Sequence, residues 1–225
     1  YPKNYEYNSL THKEVKKKKI KQAIDNKKDY IYKFITMYLN DNWDKYYIAD
    51  FGSGYGGTSR FLYDKLQYTH KFNIDCYDIS HDNCIINTQK NIQNNYNIPV
   101  YNISFLKIPF KNNYNCIYSE DAFIHINDRN SIFESINNKL LKGGVLIFSD
   151  IILKDNSNLK EIDEVYKRVN IKCLETHNSY IEKALKHDLK YVNSIEYQDS
   201  MLYHYKNIRD IVEENQDNRK IIEGL

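Results

Sequence analysis

Glycine and proline are scarce in this 225-residue chain, with seven and three copies, and methionine and tryptophan are scarcer still, with two and one. So little glycine and proline excludes collagen-like and low-complexity architectures. The four cysteines, Cys76, Cys84, Cys116 and Cys173, form no CxxC pair and have no matching histidine spacing. That argues against a zinc site or a disulfide framework and for a reducing, cytoplasmic location. No signal-peptide pattern is visible. No run of about 18 apolar residues occurs, so no membrane-spanning helix is expected. Excess charge is also missing: Lys+Arg 32 against Asp+Glu 30 leaves +2. Nothing global therefore favours nucleic acid or an anionic membrane, and the lysine run 16–19 reads as a solvated helix face. What remains is 41% hydrophobic and 28% charged, the composition of a globular chain long enough for one sizeable α/β domain. Tyrosine is abundant at 22, and Asn, Lys and Ile are common throughout, as AT-rich codons would produce. Single lysines and asparagines therefore carry little information, and the rare glycines carry much. Four of the seven lie between positions 52 and 57, and two more are Gly143 and Gly144.

The chain reads as alternating elements. Residues 9–40 read as N-terminal helices with a polar break at 25–29. Ser9 and Thr11 are candidate caps, and Glu14 stands where a capping box needs it. Strands are expected at 45–51, 72–79, 100–105, 114–119 and 145–153, with helices at 58–66, 82–93 and 131–140 between them. This alternation predicts a Rossmann-like, doubly wound, mainly parallel sheet in a single domain. Helices at 160–170 and 178–187, a last strand at 191–198 and a helix at 205–223 complete the reading. The domain is parsed as a helical cap (1–44), a cofactor-binding core (45–155), a helical insert on the acceptor side (156–190) and a last strand and helix (191–225). The chain starts at Tyr1 and stops inside a helical-looking stretch, so both ends read as incomplete.

The segment from Asp50 to Gly57, Asp-Phe-Gly-Ser-Gly-Tyr-Gly-Gly, follows a strand and opens a helix. Glycines there permit a tight turn and close approach of backbone to a ligand, and the helix start offers unpaired amides. Gly52-x-Gly54-x-x-Gly57 also fits a dinucleotide fingerprint, which keeps a nicotinamide oxidoreductase among the alternatives. Two acids favour another ligand. Asp50 ends the first strand, where a carboxylate would repel a pyrophosphate and attract an ammonium. Asp78 ends the second strand, where it suits the paired hydroxyls of a ribose. Ribose plus ammonium without phosphate describes S-adenosylmethionine.

This pattern resembles the class I S-adenosylmethionine-dependent methyltransferases from residue 45 onward. The resemblance implies that Asp50, Gly52, Ser53, Gly54 and Gly56 line the methionine part of the cofactor, that Asp78 meets the ribose, and that Ile79 beside it also touches the cofactor. Ser104 and the backbone of Phe105 stand where the family holds adenine. Leu141-Lys142-Gly143-Gly144 is similar to the family's turn before strand five, and a usual seventh strand would follow Leu225.

The stretch 118–125, Tyr-Ser-Glu-Asp-Ala-Phe-Ile-His, lies at the carboxyl edge of the expected sheet and packs two acids and a histidine together. Methyl transfer to nitrogen needs a free lone pair, and an imidazole, with an ordinary pKa near 6.5, is suited to remove the amine's proton. A carboxylate such as Asp121 can hold a cationic amine. The stretch resembles that of the sarcosine/dimethylglycine and phosphoethanolamine methyltransferases. The resemblance implies that His125 and Asp121 are catalytic and that Ser119 and Glu120 touch the cofactor. Gly54 to Leu62, Ser104 to Pro109 and Ser200 to Tyr205 are similar to the sarcosine/dimethylglycine type. In that type Arg168, with Tyr203 and His204, would bind the substrate's carboxylate side. The reading is a methyltransferase acting on the nitrogen of a small amine, sarcosine or dimethylglycine, releasing S-adenosylhomocysteine, without metal, nucleic acid or membrane, as monomer or homodimer. A phosphobase enzyme, another small acceptor and a fold that binds cofactor without catalysis stay open beside it.

Overall fold

Short apolar runs bounded by polar breaks make the strands, and stretches with helical spacing between them make the helices. A computed structural model describes residues 12–39, 43–109, 113–154, 162–163, 166–167, 171–197 and 206. By compactness the chain separates into two units, Ile31–Val192 and a second built from Tyr1–Tyr30 with Asn193–Leu225. The first contains α1 from Ile31 onward, then β1 (Tyr46–Phe51), α2 (Gly57–Leu66), β2 (Phe72–Asp78), α3 (His81–Gln93) and β3 (Val100–Asn102). It continues with β4 (Tyr114–Glu120), α4 (Arg129–Lys139), β5 (Leu140–Ser149) and α5 (His177–Lys186); α1 as a whole is His12–Tyr38.

The strands pair in the order β3-β2-β1-β4-β5, and every pairing is parallel. From β1 the chain moves outward through β2 to β3 and then returns to place β4 on the other side of β1. The connections after β1 and β4 therefore lead to opposite faces of the sheet, α2 on one and α4 on the other, and at such a switch point of the carboxyl edge open α/β sheets form their ligand crevice.

Side-chain alternation along each strand builds a core on both faces. On one face Ile48, Ile74, Cys76 and Tyr118 pack with Ile31 and Ile35 of α1, with Leu39 just after it, and with Leu62 and Leu66 of α2. On the other, Ala49, Phe51, Tyr77 and Ile117 pack with Phe105, Phe123 and Ile132 and Ile136 of α4. Phe51 and Phe105 stack with centroids 4.7 Å apart.

The structure departs from the sequence expectations in four places. The polar segment 25–29 does not break α1, since it holds neither glycine nor proline, and Lys28 Nζ lies 3.6 Å from Asp25 across one turn. β3 ends at Asn102, and a 3-10 turn at Phe105–Lys107, capped by Ser104, takes the rest of the expected strand. β5 begins at Leu140 and ends at Ser149, with a register shift between Tyr114 and Cys116 that absorbs the residues around Gly143. Gly143 takes φ 82 there, a conformation that suits glycine. The strand expected at 191–198 does not form over 191–197: these residues are irregular and exposed. Asn193, a poor strand former, and the polar Ser194 interrupt the apolar pattern there.

Candidate functional site

The glycine loop is held open by its own backbone. Gly52, Gly54 and Gly56 all have positive φ, at 81°, 50° and 68°. Gly52 and Ser53 amides donate to the Tyr77 carbonyl at 2.8 and 3.1 Å, and the Gly56 amide donates to the Ser53 carbonyl at 2.8 Å. Gly56 is the N-cap residue of α2, which begins at Gly57, and as a glycine it gives the helix no side-chain cap. The first amides of α2 are thus available to a ligand. A Cβ on Gly52 would stand 2.4 Å from the Ala122 Cβ, so the loop after β1 presses directly on the loop after β4.

Asp50 lies beneath this loop and is 4% exposed. Its Oδ2 accepts from the Ser59 hydroxyl at 2.6 Å and the Tyr118 hydroxyl at 2.7 Å. Burial outweighs those two donors and pushes its carboxyl up to about 7, with Glu120 and Asp78 adding smaller repulsions. The same burial pushes the Cys76 thiol up to about 12, so this cysteine is a packing residue rather than a nucleophile.

Asp78 is the second anchor. Its Oδ2 accepts from the Gly54 amide at 2.7 Å and its Oδ1 from the Ser80 amide at 2.8 Å. A carboxylate has about four lone-pair sites, so these two bonds and a longer one from the Asn83 side chain at 3.5 Å still leave capacity for a sugar hydroxyl. Beside it Ile79 is 75% exposed, an apolar side chain set at the strand end. Asn102 donates to the Asp78 and Ile79 carbonyls at 3.1 and 3.0 Å and fixes that end.

Beneath the loop Arg60 donates to the Tyr55 carbonyl and, through Nη1, to Asn87 at 2.9 Å and Asn91 at 2.8 Å. This clamp between α2 and α3 was not expected from the sequence. Its only signal was an arginine one turn into a helix that faces asparagines spaced four apart, and asparagine is too common here to stand out.

Other expected residues have additional roles. The Ser119 hydroxyl donates to the Phe51 carbonyl at 2.7 Å and ties β4 to β1. The Ser104 hydroxyl caps the turn that follows it, accepting from Leu106 at 3.3 Å. The Phe105 side chain is in the core, which leaves only its backbone toward a ligand. Glu120 ends β4, half-buried. Asp121 takes φ 52, accepts from the Ser149 hydroxyl at 2.9 Å and is exposed. His125 ends a 3-10 turn, Phe123–His125, and is also exposed. Arg168, Tyr203 and His204 lie outside the described residues.

Glycine loop, two strand-end acids and a turn bearing acid and imidazole thus surround the switch point of a five-stranded parallel sheet. That combination defines a Rossmann-like fold of the class I methyltransferase type. The sequence profile of the family described as "Methyltransferase domain" matches residues 12–193, and the chain belongs to that family.

The chain is similar to the sarcosine/dimethylglycine N-methyltransferase of Aphanothece halophytica, 27% identical over 177 residues that cover 76% of this chain and 61% of that protein. It is also similar to the glycine/sarcosine/dimethylglycine N-methyltransferase of Actinopolyspora halophila, 24% identical over 76% of this chain and 30% of that protein. The chain therefore spans about three fifths and about a third of these relatives. Among solved structures, a presumed sarcosine dimethylglycine methyltransferase from Galdieria sulphuraria superposes with a TM-score of 0.76 at 25% identity, covering 85% of this chain and 72% of that one.

The cofactor of this fold class is S-adenosylmethionine, and the residues present fit it. The loop offers amides at a helix start, Asp50 is a buried acid that a cation would hold ionised, and Asp78 keeps hydrogen-bonding capacity. Among the described residues no cluster of His, Cys, Asp and Glu could hold a metal ion, and no helix is long and apolar enough to cross a membrane.

Proposed function

We propose that this chain is the catalytic domain of an S-adenosylmethionine-dependent N-methyltransferase whose acceptor is sarcosine or dimethylglycine. The observation that carries the reading is the contact between the two loops at the switch point, with Gly52 against Ala122. It puts the Asp121–His125 turn at the edge of the cofactor loop. Bound there, S-adenosylmethionine supplies an electrophilic methyl group on a sulfonium. The chain's own residues do the rest. The glycine loop lets the amino-acid end approach its backbone, and the uncapped amides at the start of α2, with Asp50, hold it. Asp78 holds the ribose, and Ile79, Ser104 and the Phe105 backbone border the adenine. Asp121 attracts the cationic amine, and the His125 imidazole takes its proton so that the lone pair can attack in line. Arg168, with Tyr203 and His204, is assigned to the acceptor's carboxylate, for which a bidentate guanidinium is suited. The acceptor choice is supported by the relatives' substrates.

The test offers methyl-labelled S-adenosylmethionine together with glycine, sarcosine, dimethylglycine or phosphoethanolamine. Label in the sarcosine and dimethylglycine products supports the proposal. Label in phosphoethanolamine products alone moves the chain to the phosphobase enzymes. Cofactor binding with no label in any product removes the acceptor assignment. His125→Ala should lower kcat by about 10²-fold or more while leaving cofactor affinity unchanged.

A further inference from the structure

Behind the turn that carries His125 lies a buried arginine. Asp128 caps α4, its Oδ1 accepting from the Asn130 and Ser131 amides at 3.0 and 3.3 Å. Arg129 is thus the first helical residue, and side chains on a helix lean back over the preceding turn. Here that lean buries the guanidinium: Arg129 is 2% exposed. Its Nη2 donates to the Ile124 carbonyl at 3.1 Å and the Cys173 carbonyl at 3.2 Å, and its Nε donates to the Tyr180 hydroxyl at 3.3 Å. The Tyr180 hydroxyl in turn donates to Asp150 Oδ2. Arg129 Nη1 is buried without a hydrogen-bond partner. One guanidinium therefore joins the turn after β4, the segment before α5 and α5 itself, and Tyr180 carries the linkage to the end of β5.

A cation so placed is costly to desolvate, and an apolar side chain of similar volume often packs as well or better. An arginine at this position makes sense for the geometry it fixes, because its flat fork sets directions that a lysine cannot. Asp150 is held in the same low-dielectric pocket. Burial raises its carboxyl to about 6, against the pull of Tyr180 and Arg129 and with repulsion from Asp121.

We infer that Arg129, Tyr180 and Asp150 are positioning residues for methyl transfer: they hold the His125 turn and the segment 173–180 in register with the ends of β4 and β5. The inference rests on the methyltransferase reading above. It is tested with Tyr180→Phe, which removes one hydroxyl, and with Arg129→Lys, which keeps the charge and loses the fork. Each is compared with the parent chain by hydrogen exchange, by S-adenosylhomocysteine titration and by the labelled-methyl assay on dimethylglycine. The His125 and Ile126 amides, bonded to the Ala122 and Phe123 carbonyls, report on the turn.

The expected result is exchange at those two amides about tenfold faster, cofactor-product affinity within about twofold, and kcat/KM for dimethylglycine lower by about tenfold or more. Unchanged exchange in a folded Tyr180→Phe protein overturns the inference. So does a fall in S-adenosylhomocysteine affinity that matches the fall in kcat/KM, since that is what a merely structural role would give. Should the parent chain not methylate dimethylglycine, the acceptor reading fails in that arm alone, and the exchange and titration arms still decide the positioning role.

Discussion

At the scale of single residues, the glycine loop separates conformational strain from crowding. A Cβ on Gly54 meets nothing within 4 Å, whereas one on Gly52 meets Ala122 at 2.4 Å. Gly54→Ala should therefore cost only the left-handed conformation, about 1–2 kcal/mol, and Gly52→Ala clearly more. Thermal melts should order them so. Calorimetry should show that both lose S-adenosylhomocysteine affinity by about tenfold or more, because backbone approach is blocked in either case. Asp50 supplies a pH test. Its folded carboxyl titrates near 7, well above its ordinary range, so folding takes up a proton. The stability it contributes is complete below about pH 4 and is lost as pH rises through about 7. A cationic cofactor favours the ionised form, so S-adenosylmethionine affinity should rise with pH by up to about tenfold per unit below 7 and then level off. Asp50→Asn should abolish the slope, and calorimetry in buffers of different ionisation enthalpy would count the proton released. Both acids and the glycines were legible in the sequence because glycine is rare and strand ends are easy to place. The donors that set Asp50 were not. Tyr118 lies 68 residues away on a neighbouring strand, and nothing in a linear pattern reports which hydroxyl a parallel pairing brings alongside.

At the scale of elements, period and length located β1, β2, β4 and the helices between them, and misread what depends on partners. The polar stretch 25–29 stays helical because local charge pairing is compatible with a helix and no breaker residue is present. The run 191–197 stays irregular, with Asn193 and Ser194 in the middle of its apolar residues, because strand propensity depends on context more than on composition. β5 shows the opposite case, since a Gly-Gly pair that reads as a stop signal is absorbed inside the strand. Gly144 accounts for it. A Cβ there would stand 2.9 Å from the Leu141 carbonyl oxygen and 3.0 Å from that of Asn115. Both obstacles are backbone and cannot rotate away, so Gly144→Ala should destabilise the β4–β5 pairing by about 2 kcal/mol or more. In a chain of this size that is a fall in melting temperature of about 4–8 °C. A melt unchanged by the substitution would mean that the bulge relaxes freely and that the expected constraint is wrong.

At the scale of the whole molecule, function depends on chain order more than on any one contact. Outward winding from β1 to β3, followed by return to β4, brings residues 50–57 and 119–125 to one crevice although α2, β2, α3 and β3 lie between them in sequence. Parallel strands face the same way, so the acids that end β1 and β2 and the turn after β4 converge without any long loop. That crevice also distinguishes the two ligands the glycine spacing allowed. A pyrophosphate would bring its negative charges to Asp50 and Asp78, both buried and neither paired with a lysine or arginine in the bonds the two acids make. An ammonium would relieve the same pair. S-adenosylhomocysteine at a hundred times its dissociation constant should stabilise the chain by about 2.7 kcal/mol, raising the melting temperature by about 5–10 °C. NADH at the same concentration should leave the melt unmoved. A shift with NADH comparable to that with S-adenosylhomocysteine would show that the buried acids do not select against phosphate, and the assignment of Asp50 to the cofactor's ammonium would fall with it.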